Sequence, residues 1–320
     1  MDLIYTNANR ADQGVLSAYA FDLSFGADEN DFEIILGENE PVLDFGTFVY
    51  IEGTEYGGRI DGIKASTASD TITYVGKTWH GLLNTKVVEP DPGEAYLKMS
   101  GDANAVMAAL ITRLNLGGLF SASESLSNIT VNHQFRRYDK AYDAIAHMLS
   151  NNNAKLKIVW QDSRACLYAV PIVDYTNSMV DNDTATLTVE RYSNKVNHMI
   201  CLGRGELAER EVIHLYVDRS GRIGDTQAYF DLEEVTDVYE NTSAETSDDL
   251  RDGGISRLRE LWNMDVADIS VPESYDLEYD IGDILGATEI RSGITVTTKV
   301  SQKIVRIKNG AISTEYQTGG

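Results

Sequence analysis

The sequence predicts a mainly β chain with an α+β insert: two similar small tube-like β-barrel domains in one chain, flanking a block of helices and a hairpin. Three observations carry this. Apolar residues alternate with period two through the first ninety residues and again after residue 181. Helical spacing is confined to the stretch between and to one later segment. A glycine-bounded strand near Gly46 has an echo near Gly282. The expected domains are 1–90 (first barrel), 91–180 (α+β insert) and 181–320 (second barrel with one helix), and 320 residues suffice for several cores.

In "SAYAFDLSF" the residues Tyr19, Phe21, Leu23 and Phe25 share one face of a strand, and Phe32, Ile34 and Leu36 repeat the pattern after "GADEND". "TFVYIEG", "GGRIDGIKA" and "DTITYVGKTW" follow, separated by glycine and small polar residues that punctuate hairpins. No helix is expected there. "EPDPGEAY" holds two of the five prolines and marks a change of domain. In "SGDANAVMAALITRLNLGG" Asp102 can cap a helix whose apolar face is Val106, Leu110, Ile111 and Leu114, with Gly117 and Gly118 as its left-handed stop. "DKAYDAIAHMLSNNN" places Tyr142, Ile145, Met148 and Leu149 on a second stripe. "KLKIVWQDSRACLYAVP" reads as a hairpin with Ile158 and Trp160 facing Cys166 to Val170. From residue 185 strands return in "ATLTVERY", "VNHMICLG", "EVIHLYVD" and "DTQAYF", the last two joined by "RSGR". "SDDLRDGGISRLRELWNM" is a third helix, weakened by Gly253 and Gly254 at about 1 kcal/mol each relative to alanine, so a late start or a break is expected. The strands "DISVPES", "DLEYDIGDIL", "ITVTTKVSQKIVRIK" and "GAISTEYQ" close the chain.

The echo aligns "DFGTFVYI" with "DIGDILGA". Gly46 and Gly282 each follow an aspartate and one bulky apolar residue, and each opens an apolar strand. Ile60 and Ile72 are twelve residues apart, as are Val300 and Ile312. A duplicated barrel suits a subunit that presents two similar edges, since three such chains make a ring of six similar units.

With 50 acidic and 27 basic residues the formal charge is −23, which repels phosphate backbones and argues against sequence-specific nucleic-acid binding. Such a surface suits either plain solvation or a passage through which a polyanion slides. "MDLIYTNANR" has no signal-peptide pattern, and the apolar run "VMAALI" is too short to span a bilayer. Cys166 and Cys201 sit in apolar strands as buried thiols, fitting a reducing cytoplasm.

Chemistry is not signalled. His80, His133, His147, His198 and His214 form no zinc spacing, and no metal or cofactor is expected. His198 and Cys201, beside Asn197, lie three apart on a strand and so point to opposite faces, which rejects a thiol–imidazole pair. Asp181 and Asp183 lack the spaced ligands of a calcium loop. "GRGELAE" after Leu202 lacks the lysine of a phosphate loop. No carboxylate pair sits in a setting that would raise a pKa for glycoside hydrolysis. Arg136 and Arg137 of "FRRYDK" are expected in local salt bridges. The triplets at Asn128, Asn182 and Asn241 matter for glycosylation only on a secretory route. The seventeen tyrosines fall in alternating strands, where tyrosine is a favoured half-buried residue. No catalytic, cofactor-binding or metal residue is assigned, and the chain is not expected to be an enzyme.

Four stretches carry a resemblance over nearly the whole chain: "FVYIEGTEYGGRIDGI", "YVGKTWHGLL" at 74–83, "VNHMICLGRGELAEREVIHLY" at 196–216, and the last helix followed by "YDIGDIL". Together they resemble the baseplate-hub, or tail-tip hub, proteins of phage tails and related contractile particles, most of all the short hub forms of Gram-positive prophages and phage-like bacteriocins. The resemblance implies a homotrimer of pseudo-sixfold symmetry that joins the hexameric tail tube to a trimeric spike or fibre, among other baseplate proteins. It also implies assembly in the bacterial host cytoplasm, a final place in the tail baseplate, and an acidic lumen that would let DNA pass. Many relatives carry a C-terminal cell-wall hydrolase domain; this chain stops at Gly320, so such an activity is expected on another chain. Two other readings stand beside it: a tail-tip cell-wall hydrolase, and a carbohydrate-binding adhesin acting through 91–180.

Overall fold

The computed structural model describes residues 2–176, 186–190, 195–244, 246–262, 266–270, 279–289, 291–308 and 310–319. In chain order the N-terminal strands are β1 (Leu3–Thr6), β2 (Asp12–Leu16), β3 (Tyr19–Gly26), β4 (Asp31–Gly37), β5 (Phe48–Tyr50), β6 (Gly57–Ala65) and β7 (Thr71–Thr78). A one-turn helix that the sequence pattern did not announce, α1 (Trp79–Leu83), follows at once, its first turn capped by Thr78 Oγ1 accepting from Gly81 N. Next come β8 (Val87–Val88), β9 (Lys98–Asp102), α2 (Ala103–Arg113), β10 (Phe120–Ala122), β11 (Thr130–Gln134), β12 (Asp139–Lys140), α3 (Ala141–Ser150), β13 (Ala154–Gln161) and β14 (Arg164–Pro171). The remainder is β15 (Thr186–Glu190), β16 (His198–Leu202), β17 (Val212–Val217), β18 (Ile223–Gly224), β19 (Thr236–Glu240), α4 (Ser247–Trp262), β20 (Val266–Ser270), β21 (Ile284–Glu289), β22 (Ile294–Lys308) and β23 (Ala311–Thr318). The protein is mainly β.

Two compact units form: residues 1–187 with 268–319, and residues 188–267. In the first, ten strands make one sheet in the order β2-β1-β5-β6-β7-β4-β3-β22-β21, with β23 also on β22. This differs from the two separate barrels the sequence suggests. The C-terminal strands join the N-terminal sheet through an antiparallel pairing of β22 with β3, from Gln302↔Gly26 to Lys308↔Ala20, and none of the described sheets closes into a barrel. The reason is shared burial. Tyr19, Phe21, Leu23 and Phe25 of β3 face the same core as Phe32, Ile34 and Leu36, and Val305 and Ile307 of β22 complete it.

The echo is real at the level of backbone geometry. Thr47 N donates to Asp44 O and Asp283 N donates to Asp280 O, closing two turns whose third residues, Gly46 and Gly282, have φ of 83° and 96°. Gly46 N donates to Ile60 O and Ile60 N to Thr47 O; Gly282 N donates to Val300 O and Val300 N to Asp283 O. Each turn leads into an antiparallel three-stranded meander, β5-β6-β7 and β21-β22-β23.

A second core in the same unit gathers the α+β stretch. Val106, Met107, Leu110 and Ile111 of α2 pack with Tyr142, Ile145, Met148 and Leu149 of α3 and with Ile158, Trp160 and Leu167 of the β13–β14 hairpin. Asp102 caps α2 as expected, accepting from Asn104 N at 3.0 Å, and also takes Ser127 N, Ser127 Oγ and Asn128 N. The left-handed stop is Asn115 (φ 55°) rather than Gly117 or Gly118. The hairpin turns through Asp162 and Ser163, both at positive φ, as a tight type I′ turn requires.

In the second unit β18-β17-β16-β19 form a sheet with α4 against one face. "DTQAYF" is not a strand; the pairing partner of β17 is the shorter Ile223–Gly224. The helix runs unbroken across Gly253 and Gly254 because both sit where it touches the sheet. A Cβ on Gly254 would lie 2.2 Å from Cys201 Sγ, and one on Gly253 would lie 2.4 Å from the Tyr239 hydroxyl. Gly254→Ala is therefore expected to destabilise by about 1–3 kcal/mol through overpacking, although alanine is the better helix former. Urea denaturation checks this, with Cys201→Ala in the same chain recovering most of the loss; a Gly254→Ala variant more stable than the parent would disprove the close approach.

Candidate functional site

The sheet's two meanders are held in register by polar groups buried where an apolar strand pattern would not foretell them. On β22, Gln302 is buried, and its Nε2 donates to Ser24 Oγ at 2.6 Å and Glu29 O at 2.9 Å while its Oε1 accepts from Asp28 N. Beside it Lys303 Nζ donates to Glu55 Oε1 at 2.7 Å, within 5.5–6.0 Å of the rings of Tyr56, Tyr316 and Phe25. Burial alone would push this ammonium down; the Glu55 carboxylate and the two tyrosines outweigh it and hold its pKa above the ordinary lysine value. One signal was available: period two places Lys303 on the face of Val305 and Ile307.

A second buried pair fastens the Gly282 turn to the β13–β14 hairpin. Lys155 Nζ donates to both oxygens of Asp283 at 2.7 Å and lies 3.0 Å from Asp280 Oδ2. Asp283 also accepts from Val173 N and Asp280 N at 2.9 Å, so a carboxylate that is 1% exposed has all its lone-pair sites engaged. Burial would raise the Asp280 carboxyl; Lys155, with Lys157 and Lys303, holds it below its usual value. The second aspartate of the "YDIGDIL" stretch, Asp283, is thus a latch.

Among the described residues β2, β21 and β23 each pair with a single strand of the sheet; β21 has an isolated bridge to Asp174 on its other side, whereas β2 and β23 have no further pairing. An open concavity of about 610 Å³ lies on this unit's sheet, where Asp22, Glu33 and Asp61 interleave with Lys64 and Arg306. Lys64 pairs with Glu33 at 3.3 Å.

The residues weighed for chemistry fall apart in space. His80 is fully buried, stacked on Phe25 at 4.7 Å and edge-on to Tyr142. His133 and His147 meet at 5.6 Å, both held below the usual imidazole range by burial first and by neighbouring cationic side chains second. Cys201 faces α4 and His198 the opposite side of β16, as the spacing required, and both cysteines are free and buried. His198 meets instead a cross-strand neighbour: its Nε2 is 2.8 Å from His214 Nδ1, and its Nδ1 is 2.7 Å from Glu234 Oε1. This carboxylate–imidazole–imidazole chain joins residues 16 and 36 positions away, beyond the reach of a local motif. Arg137 lies over the Tyr138 ring, and neither Arg136 nor Arg137 is in an ion pair among the described residues, unlike the expectation. Asn128 occupies the left-handed region and Asn241 caps Ser243 locally. Asp181, Asp183 and Asn182 lie outside the described residues. Among those described, no cluster of three or more metal-ligating groups occurs and no helix is long and apolar enough to cross a membrane.

No family model and no curated protein matches the chain. Solved structures do. A prophage MuSo2 tail protein from Shewanella oneidensis aligns over 100% of this chain and 98% of its own at a TM-score of 0.58 and 10% identity. The prophage tail protein gp18 from Listeria monocytogenes aligns over 99% and 94%, with a TM-score of 0.54 and 12% identity. The chain has a phage tail-protein fold. A tail protein from Neisseria meningitidis has the same fold, over 99% of this chain and 95% of that one, with a TM-score of 0.52 and 10% identity. The likeness extends across the whole tail-protein fold, so it covers both units and both meanders. At 10–12% identity it carries architecture and no residue roles.

Proposed function

We propose that this chain is a structural part of a phage or phage-like tail, the baseplate hub, in which three copies form a pseudo-sixfold ring between a hexameric tube and a trimeric spike or fibre. The observation that carries it is the paired turn and meander at residues 44–78 and 280–318, built with the same hydrogen bonds at Gly46/Ile60 and Gly282/Val300. One chain thus offers two similar elements, and a threefold ring of chains offers six to a sixfold partner. The free edges of β2 and β23 are the natural ring contacts, since an unpaired strand edge recruits another strand. A charge of −23 suits a wall past which DNA moves without sticking. The role needs no catalysis, cofactor or metal. Assembly would occur in the host cytoplasm, with the tail baseplate as the final location.

Light scattering tests this. A mass of about 106 kDa, three times the 35.3 kDa chain, is expected for the homotrimer alone, and a larger mass containing three copies of the chain with tube and spike proteins present. A chain that stays at 35.3 kDa with both partners would refute the hub reading.

A further inference from the structure

The 188–267 unit has an open face. Met199, Cys201, Leu215 and Val217 point to α4 and meet Leu250 and Leu258; the alternate residues point the other way, where His198 is buried, Ile200, Leu202 and Tyr216 are half-buried, and Val212, His214, Thr236, Val238 and Glu240 are exposed. Val212 and Val238 on that side are 46% and 53% exposed. The two ends of the sheet carry larger apolar groups. Leu207, 94% exposed, follows the finish of β16; Phe230 and Leu232, the latter 97% exposed, precede β19, which runs parallel to β16 and so starts at its opposite end. Five residues of strand separate the ends by about 16 Å.

These are held positions rather than loose tips. Leu207 and Asp231 have φ of 53° and 54°, a region that residues with a Cβ enter at a cost. Glu211 N donates to Arg204 O and Gly203 N to Glu211 O across the first turn. Asn197 Nδ2 donates to Glu233 O and Glu233 N to Phe230 O across the second. Both leucines stand among carboxylates: Glu206 and Glu209 around Leu207, Asp231 and Glu233 around Leu232, of which Glu233 pairs with Arg219. Residues 188–267 hold 17 carboxylates against 9 lysines and arginines. A second copy would bring the same acidic surface, and a nucleic acid or an anionic bilayer would be repelled.

We propose that this face, with Leu207 and Leu232 at its ends, docks a different protein whose apolar pockets are ringed by lysine or arginine. Fixed apolar side chains within a charged rim are the anatomy of such a contact, where the leucines contribute affinity and the carboxylates select the partner.

The proposal rests on the tail reading above, and purified tails test it. Photoreactive benzoylphenylalanine replaces Leu207, Leu232 or, as a control, Leu126, which is 74% exposed in the other unit. Irradiation is expected to join positions 207 and 232 to a second tail protein, beside lysine or arginine, about ten-fold above the control. Leu207→Asp with Leu232→Asp is expected to cut tail yield about ten-fold, with the Tm of the isolated chain unchanged. Cross-links no stronger than the control, cross-links to this chain alone, or parental yield from the double variant would overturn it. Tails lacking the chain altogether would overturn the tail reading and this proposal together, a result distinct from tails that contain the chain without cross-links.

Discussion

Asp283→Asn is expected to lower the unfolding free energy by up to about 3–5 kcal/mol, because it leaves the buried Lys155 ammonium with only the partly exposed Asp280 as counter-ion. The Lys155 side chain is 6% exposed and Asp283 1%, so neither charge can turn to water when the other goes. Asp283 also terminates two backbone amides, from Val173 and Asp280, so the substitution loosens the Gly282 turn as well as the pair. Lys155→Met is expected to cost a similar amount by stranding the carboxylate. Combining the two should cost clearly less than their sum, and a double-mutant cycle in urea measures that coupling. Asp280, which meets the same ammonium at 3.0 Å but is 24% exposed, should matter less. A loss below about 1 kcal/mol for either single change would mean the pair behaves as a surface ion pair and latches nothing.

This latch marks where sequence reading succeeds and where it stops. The turn "YDIGDIL" was legible because Gly46 and Gly282 each need a left-handed backbone after the same short pattern, a local requirement. The faces of α2 and α3 and the β13–β14 hairpin were legible for the same reason: local spacing decides them. The joining of β22 to β3 was not. It is decided by Val305 and Ile307 completing a core begun at Phe21, across nearly the whole chain, a separation that no periodicity reports. Gly253 and Gly254 misled for a related reason. Propensity counts their cost in an isolated helix, whereas here they let α4 approach Cys201 and Tyr239. His198 could be excluded as a partner of Cys201 by strand geometry, yet its meeting with His214 and Glu234 depends on registers fixed only by the folded sheet.

Acid should destabilise the first unit well above the pH at which carboxylates titrate, and His80 supplies the main reason. Its ring is enclosed by Phe25 and Tyr142, its Nδ1 has no hydrogen-bond partner, and burial with the nearby Lys303 charge lowers its pKa from 6.5 to about 3. The unfolded chain therefore binds a proton at this residue near pH 6.5 while the folded chain refuses it until about pH 3. Between those values the unfolded state holds more protons, so stability falls as pH falls, by about 1.4 kcal/mol per pH unit from this group. The loss begins below pH 6.5 and is complete near pH 3, where the folded form also protonates. His133 and His147, also depressed, add smaller slopes in the same direction. His80→Phe retains an aromatic stack on Phe25 and removes both the titration and the unpartnered nitrogen. It should leave stability at pH 8 within about 1.5 kcal/mol of the parent, the usual limit for a volume-conserving core change. Between pH 8 and pH 5 the variant should gain about 2 kcal/mol relative to the parent. Urea titrations at the two pH values give both numbers, and parallel pH profiles for parent and His80→Phe would show that the imidazole already reaches water in the folded chain.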